Sequence, residues 1–155
     1  MADWVEMRET LFLARRLEEI PDAMLVHEAG ACVWGVVVEV GMSGGLDLLA
    51  AYANATARYY NFSGRAVIWE RPDASLDAAI ADVLRAAVKI VPYIGLSDEP
   101  LRPPPTTSMA RLSILTPEGF CFGEGPLDVL GRDQMASSLL GPATALMTKL
   151  TKLVS

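Results

Sequence analysis

An α+β domain with a single antiparallel sheet flanked by helices, in the order α-β-β-β-β-α-β-β-α, is the fold class this sequence predicts. Three observations carry it. Apolar residues recur at helical spacing in two stretches, one ending at Pro21 and the other at Pro92. Between them, and again after the second, lie β-branched and aromatic runs separated by glycine-containing turns. No repeat or linker divides the 155 residues, so residues 1–155 read as one domain of ordinary size.

The first helix is expected over residues 3–20. Trp4, Met7, Leu11, Ala14 and Leu17 form its apolar stripe, and Asp3 with Glu6 has the spacing of a capping box. From Cys32 to Val40 the run Cys-Val-Trp-Gly-Val-Val-Val-Glu-Val is too short for a long helix and rich in valine, so it reads as a largely buried strand. Gly41-Met42-Ser43-Gly44-Gly45 supplies turn chemistry. Leu46 to Ala57 is open to two readings, because its alanines favour helix. Thr56–Phe62, Ser63-Gly64 and Arg65–Glu70, in contrast, read as strand, turn, strand. A turn at Asn54-Ala55 would make residues 32–71 a four-stranded meander.

The second helix spans Leu76 to Val91, with Ser75 as its cap, Asp77 in its first turn and Lys89 in its last, matching the helix dipole. Residues 97–108 are proline-rich. Pro100-Leu101-Arg102-Pro103 is a literal PxxP, read here as a stiff surface connection rather than a docking motif. Met109–Thr116 and Gly119–Gly123 form a hairpin around Pro117-Glu118, with Leu112, Ile114, Phe120 and Phe122 facing inward. Pro142 suits a first helical position, so the last helix is expected to run from there to Val154.

The order Val33-Trp34-Gly35-Val36, then Leu48–Ala53, then Thr56-Ala57-Arg58-Tyr59-Tyr60, then Ser63-Gly64 resembles a family of small uncharacterised bacterial proteins. That family carries a tight Asp-Gly turn where this chain has Asn54-Ala55, so the resemblance implies the meander. It implies no activity. At the level of topology and composition, the arrangement is also similar to the small acidic dimeric chaperones of type III secretion, and loosely to profilin- and roadblock-like adaptors; fold analogy of this kind does not specify function.

Composition narrows the function classes. Thirteen basic against nineteen acidic residues give a net charge of −6, a field that repels phosphate backbones and anionic lipid. With 52% hydrophobic and 21% charged residues, the chain falls outside the disordered and fibrous classes. Its longest apolar stretch, Ala29 to Val38, is far short of the ~20 residues that span a bilayer. The N-terminus has acids where a signal peptide needs positive charge. The expectation is a cytoplasmic protein with no nucleic-acid or membrane partner. Cys32 and Cys121 are far apart, each in an apolar run, and read as reduced buried thiols.

No pattern identifies catalytic residues, a metal or a cofactor. Gly41-Met42-Ser43-Gly44-Gly45 is a literal GxSxG, but the single histidine, His27, lies upstream of it. Ser43-Gly44-Gly45-Leu46-Asp47 resembles a pyrophosphate-cradling SGGxDS loop, a reading that requires a helix to start there. His27-Glu28 reads as an edge pair, and Glu39, Asp47 and Glu70 as scattered acids with no warrant for pairing. Arg58, Tyr60, Phe62, Arg65 and Trp69 interleave cations and aromatics, residue types favoured at the centres of protein interfaces. The leading expectation is therefore a non-enzymatic interaction protein, an adaptor, secretion-chaperone-like protein or immunity-type binder, acting through that surface on a protein partner or on itself as a homodimer. The alternatives are a nucleotide-binding or hydrolytic enzyme using Ser43–Asp47, and a small-ligand sensor domain.

Overall fold

The structure, a computed structural model, describes residues 26–28, 31–97 and 103–153. The expected helix over 3–20, residues 98–102 of the proline-rich stretch, and Val154 lie outside them. The described chain is α+β. A short hairpin pairs β1 (Val26–Glu28) with β2 (Ala31–Val33). One antiparallel sheet then takes up β3 (Gly35–Met42), β4 (Gly45–Tyr52), β5 (Ala57–Tyr60), β6 (Ala66–Trp69), β7 (Met109–Thr116) and β8 (Gly119–Pro126), in the spatial order β6-β5-β4-β3-β7-β8. Helix α1 (Asp77–Ile94) follows β6, and the short α2 (Leu127–Leu130) and long α3 (Gln134–Lys152) follow β8.

The ambiguous stretch resolves as strands. Tyr52 and Thr56 close a turn in which the Tyr52 N–H donates to the Thr56 carbonyl at 3.0 Å and Ala55 takes a φ of 65°. The Asn54 side chain holds this turn by accepting from the Thr56 amide at 3.2 Å and its hydroxyl at 2.6 Å. Asparagine thus does locally what an Asp-Gly pair does elsewhere. Ser43-Gly44 is a two-residue hairpin loop, with Gly44 at a φ of 85° that a side chain would resist. No helix begins at Asp47, which sits inside β4.

Three boundaries differ from expectation. The valine-rich run breaks at Trp34, whose amide donates to Leu115 O and whose carbonyl accepts from Ala53, each at 2.9 Å. Its ring stacks on Tyr52 with centroids 6.2 Å apart. Helix α1 extends to Ile94 with Pro92 in its last turn, so no basic residue occupies that turn. Its start has no side-chain cap: Leu76 holds the cap position, while the Ser75 amide donates to Asp73 Oδ1 at 2.8 Å. The last helix starts two turns earlier than Pro142 predicts, because Asp133 caps it by accepting from Ala136 N at 2.8 Å. Pro142 lies inside α3 and leaves the Ser138 carbonyl without its helical donor. Burial of Leu139, Ala143, Leu146 and Leu150 outweighs that cost of about 3 kcal/mol, since each large aliphatic residue contributes about 1.5–3 kcal/mol.

Register assigns the faces, because residues directly opposite one another point the same way. Val38 faces Leu49 and Leu112, whereas Glu39 faces Leu48 and Arg111. The first set meets α1 and α3, which also pack on each other. On the second face Val37, Leu48, Ala50 and Tyr52 are buried as well, so β3 and β4 are apolar on both sides. In β8 the fully buried residue is Cys121; Phe120 and Phe122 pair with Leu115 and Ser113 and are half-buried, which corrects their expected inward placement.

Candidate functional site

The β5–β6 end of the sheet carries the residues that the sequence marked as an interaction surface. Arg58 pairs in register with Ile68, and Tyr60 with Ala66, so these four share the face away from α3. Arg58 Nη2 donates to Glu70 Oε1 at 3.2 Å, and its Nε has no acceptor among the described residues. The connecting loop is built by Asn61, whose Oδ1 accepts from Ser63 N at 2.7 Å and whose carbonyl accepts from Gly64 N at 2.9 Å. The loop is tied to β4 by the Phe62 amide, which donates to Asp47 Oδ1 at 2.7 Å. That anchor leaves the Phe62 ring 42% exposed, with Arg65 exposed beside it.

Trp69 does not belong to this surface. It pairs with Ala57, is buried on the helix side, and its indole N–H finds no acceptor among the described residues. Ile68 takes its place, 54% exposed on a strand that forms the edge of the sheet. Sequence reasoning missed Ile68 because it grouped the aromatics by type. Counting the register across Ser63-Gly64 would have set Arg58 opposite Ile68 and put Trp69 in line with Tyr59.

The three scattered acids go to three different partners. Glu39 is fully buried on the second face, with Arg111 Nη1 3.3 Å from its Oε1, and Arg111 also donates to Glu124 Oε2 from Nε at 3.1 Å and Nη2 at 3.0 Å. Glu70 holds Arg58. Asp47 lies on the helix side, where its Oδ2 accepts from the Tyr59 hydroxyl at 3.3 Å. Burial, reinforced by the Asp47 charge, pushes the Tyr59 phenol above its ordinary range. Tyr59 and Asp47 line a cavity of about 270 Å³ between the sheet and α3, whose other walls include Val38, Val40, Leu49, Leu140 and Met147.

Ser43 is exposed at the hairpin tip, on the rim of an open depression shared with Thr107, Ser108 and Asp128. The Gly-rich turn joins two strands, so the helix N-terminus that phosphate cradling requires is absent from residues 41–52. His27 pairs with Cys32 across the β1–β2 hairpin. Cys121 is a free buried thiol, raised above its ordinary value by desolvation. Among the described residues there is no group of three metal-binding side chains, and no helix is long and apolar enough to cross a membrane. Comparison with protein-family models, curated proteins and solved structures finds no match.

Proposed function

We propose that this is a non-enzymatic interaction protein of the cytoplasm that self-associates as a homodimer through edge strand β6 and the face bearing Ile68. The observation that carries this reading is Ile68 itself, a large aliphatic side chain 54% exposed on an edge strand. An edge strand presents unpaired backbone donors and acceptors, and native proteins usually blunt such edges with charge or proline inside the strand. Ala66-Val67-Ile68-Trp69 has neither; the charges of Arg65 and Glu70 only flank it.

A two-fold axis perpendicular to the sheet lays β6 antiparallel on its own copy, a self-complementary arrangement. That operation sets the two Ile68 side chains together on one face of the joined sheet. Phe62 and Tyr60 border the same face and add aromatic area, the material of interface centres. The net charge of −6 favours a protein surface over nucleic acid as what this face meets. The carboxylates engaged by Arg58, Arg111 and Tyr59 are structural pairs, in keeping with a binding rather than a catalytic role.

Light scattering across a wide concentration range tests this. The expected result is a dimer that Ile68→Lys converts to monomer without loss of the far-ultraviolet circular dichroism signal. A monomer at every concentration, or a dimer indifferent to Ile68→Lys, overturns the reading.

A further inference from the structure

The cavity between β3–β5 and α3 has a chemistry that packing alone does not call for. Val38, Val40, Leu49, Leu140 and Met147 make its walls apolar, and a carboxylate stands among them. Each Asp47 oxygen accepts one hydrogen bond, from Phe62 N at 2.7 Å and from the Tyr59 hydroxyl at 3.3 Å. A carboxylate offers about four acceptor positions, so these bonds leave about two unused on a group that lines the cavity. Charge pairing is stronger beside apolar walls than in water. An aliphatic cavity of about 150 Å³ takes up benzene. By proportion, about 270 Å³ holds a ligand of about ten non-hydrogen atoms.

We propose that this cavity is a binding site for a small amphipathic primary amine, with its ammonium group on Asp47 and an apolar tail of about eight carbons among Val38, Val40, Leu49, Leu140 and Met147. The raised Tyr59 phenol stays protonated and keeps donating to Asp47, so it orients the carboxylate without competing for the cation. Met147 and Met42, unbranched and adaptable, let the walls close on tails of different shape. A neutral molecule of the same length gains the walls but not the charge pairing, and an anion meets like charge. The site lies on the helix side of the sheet, away from Ile68, and is independent of self-association.

The test is isothermal titration of the full chain with octylamine, 1-octanol and octanoate at neutral pH, all below micelle-forming concentrations. A charge-assisted hydrogen bond predicts octylamine binding about tenfold or more tighter than octanol, with octanoate weaker than both. Asp47→Asn keeps an acceptor for the Phe62 amide and should reduce octylamine to the affinity of octanol while leaving octanol unchanged. Thr144→Phe, at an exposed rim position, should weaken both by blocking the mouth. Equal binding of octylamine and octanol, octylamine binding indifferent to Asp47→Asn or Thr144→Phe, or no binding of any probe would each overturn the proposal. Should Asp47→Asn fail to fold, the wild-type preference for octylamine and its loss in Thr144→Phe decide the matter.

Discussion

Gly41 is the position where one added methyl group does most damage for its size. It lies near the end of β3, and its backbone is not in the left-handed region, so alanine is conformationally acceptable there. A Cβ at this position would nevertheless sit 1.9 Å from Thr106 O, 2.4 Å from Thr106 C and 2.7 Å from Pro105 O. All three are backbone atoms of the segment that crosses the sheet ahead of β7, so no side-chain rotation relieves the clash. Reaching ordinary contact needs a displacement of about 1.5 Å. That breaks the Ser108 N–H bond to Gly41 O, 2.9 Å long, and the Thr107 hydroxyl bond to Met42 O, 3.5 Å long. Two hydrogen bonds at about 1 kcal/mol each, with overpacking at about 1–3 kcal/mol, predict a loss of about 3–5 kcal/mol for Gly41→Ala. The matched control is Gly123→Ala, also in a strand, where the new Cβ meets nothing within 4 Å. There the reduced entropy of the unfolded chain should leave stability unchanged or raise it by about 0.4–1 kcal/mol. Urea unfolding of the two variants and the wild type, analysed with a shared slope, measures both. A Gly41→Ala variant within about 0.5 kcal/mol of wild type would refute the close approach of Thr106 to β3.

Arg111→Met should cost about 3–5 kcal/mol in the same assay, because it removes the guanidinium that bridges fully buried Glu39 and Glu124; Arg111→Lys should recover only part, since an ammonium lacks the planar fork. Asp133→Ala should cost about 1 kcal/mol by uncapping α3, read as a lower thermal midpoint and reduced helical signal. For pH, the buried Cys121 thiol is raised in the folded state, so above the ordinary thiol value the unfolded chain releases its proton first. Stability contributed by this site is therefore complete at neutral pH and falls as pH rises from the ordinary thiol value toward the raised folded one. In a Cys32→Ala background the urea midpoint should drop across that window, and Cys121→Ala should flatten the drop.

Much of the architecture is legible in local chemistry. The Ser63-Gly64 loop and the Pro117-Glu118 turn divide the chain where the strands end, because each contains residues suited to a tight reversal, whereas the alanines from Leu46 to Ala57 leave the Asn54-Ala55 turn open between helix and strands. The apolar spacing of Ile80, Val83, Leu84 and Ala87 places α1 and its buried face. The surface around Arg58, Tyr60 and Phe62 is partly legible too, since alternation along β5 puts Arg58 and Tyr60 together. Its remaining member, Ile68, depends on cross-strand register, which sequence alternation within one strand does not contain.

What the sequence by itself determined is therefore the α+β class, the reversals at Ser43-Gly44, Ser63-Gly64 and Pro117-Glu118 and the apolar character of each element, all properties of residues within a few positions of one another. Tertiary structure alone decided the rest. Trp34 sits between β2 and β3 with its backbone bonded to Leu115 and Ala53 and its ring stacked on Tyr52. Pro142 stays inside a helix because Leu139, Leu146 and Leu150 are buried around it. Arg111 and Glu39 meet although 72 residues separate them, and Asp47 comes to face a cavity closed by α3. Each of these rests on partners distant in sequence, and burial among such partners outweighs the local preference of about 1–3 kcal/mol that a residue expresses alone.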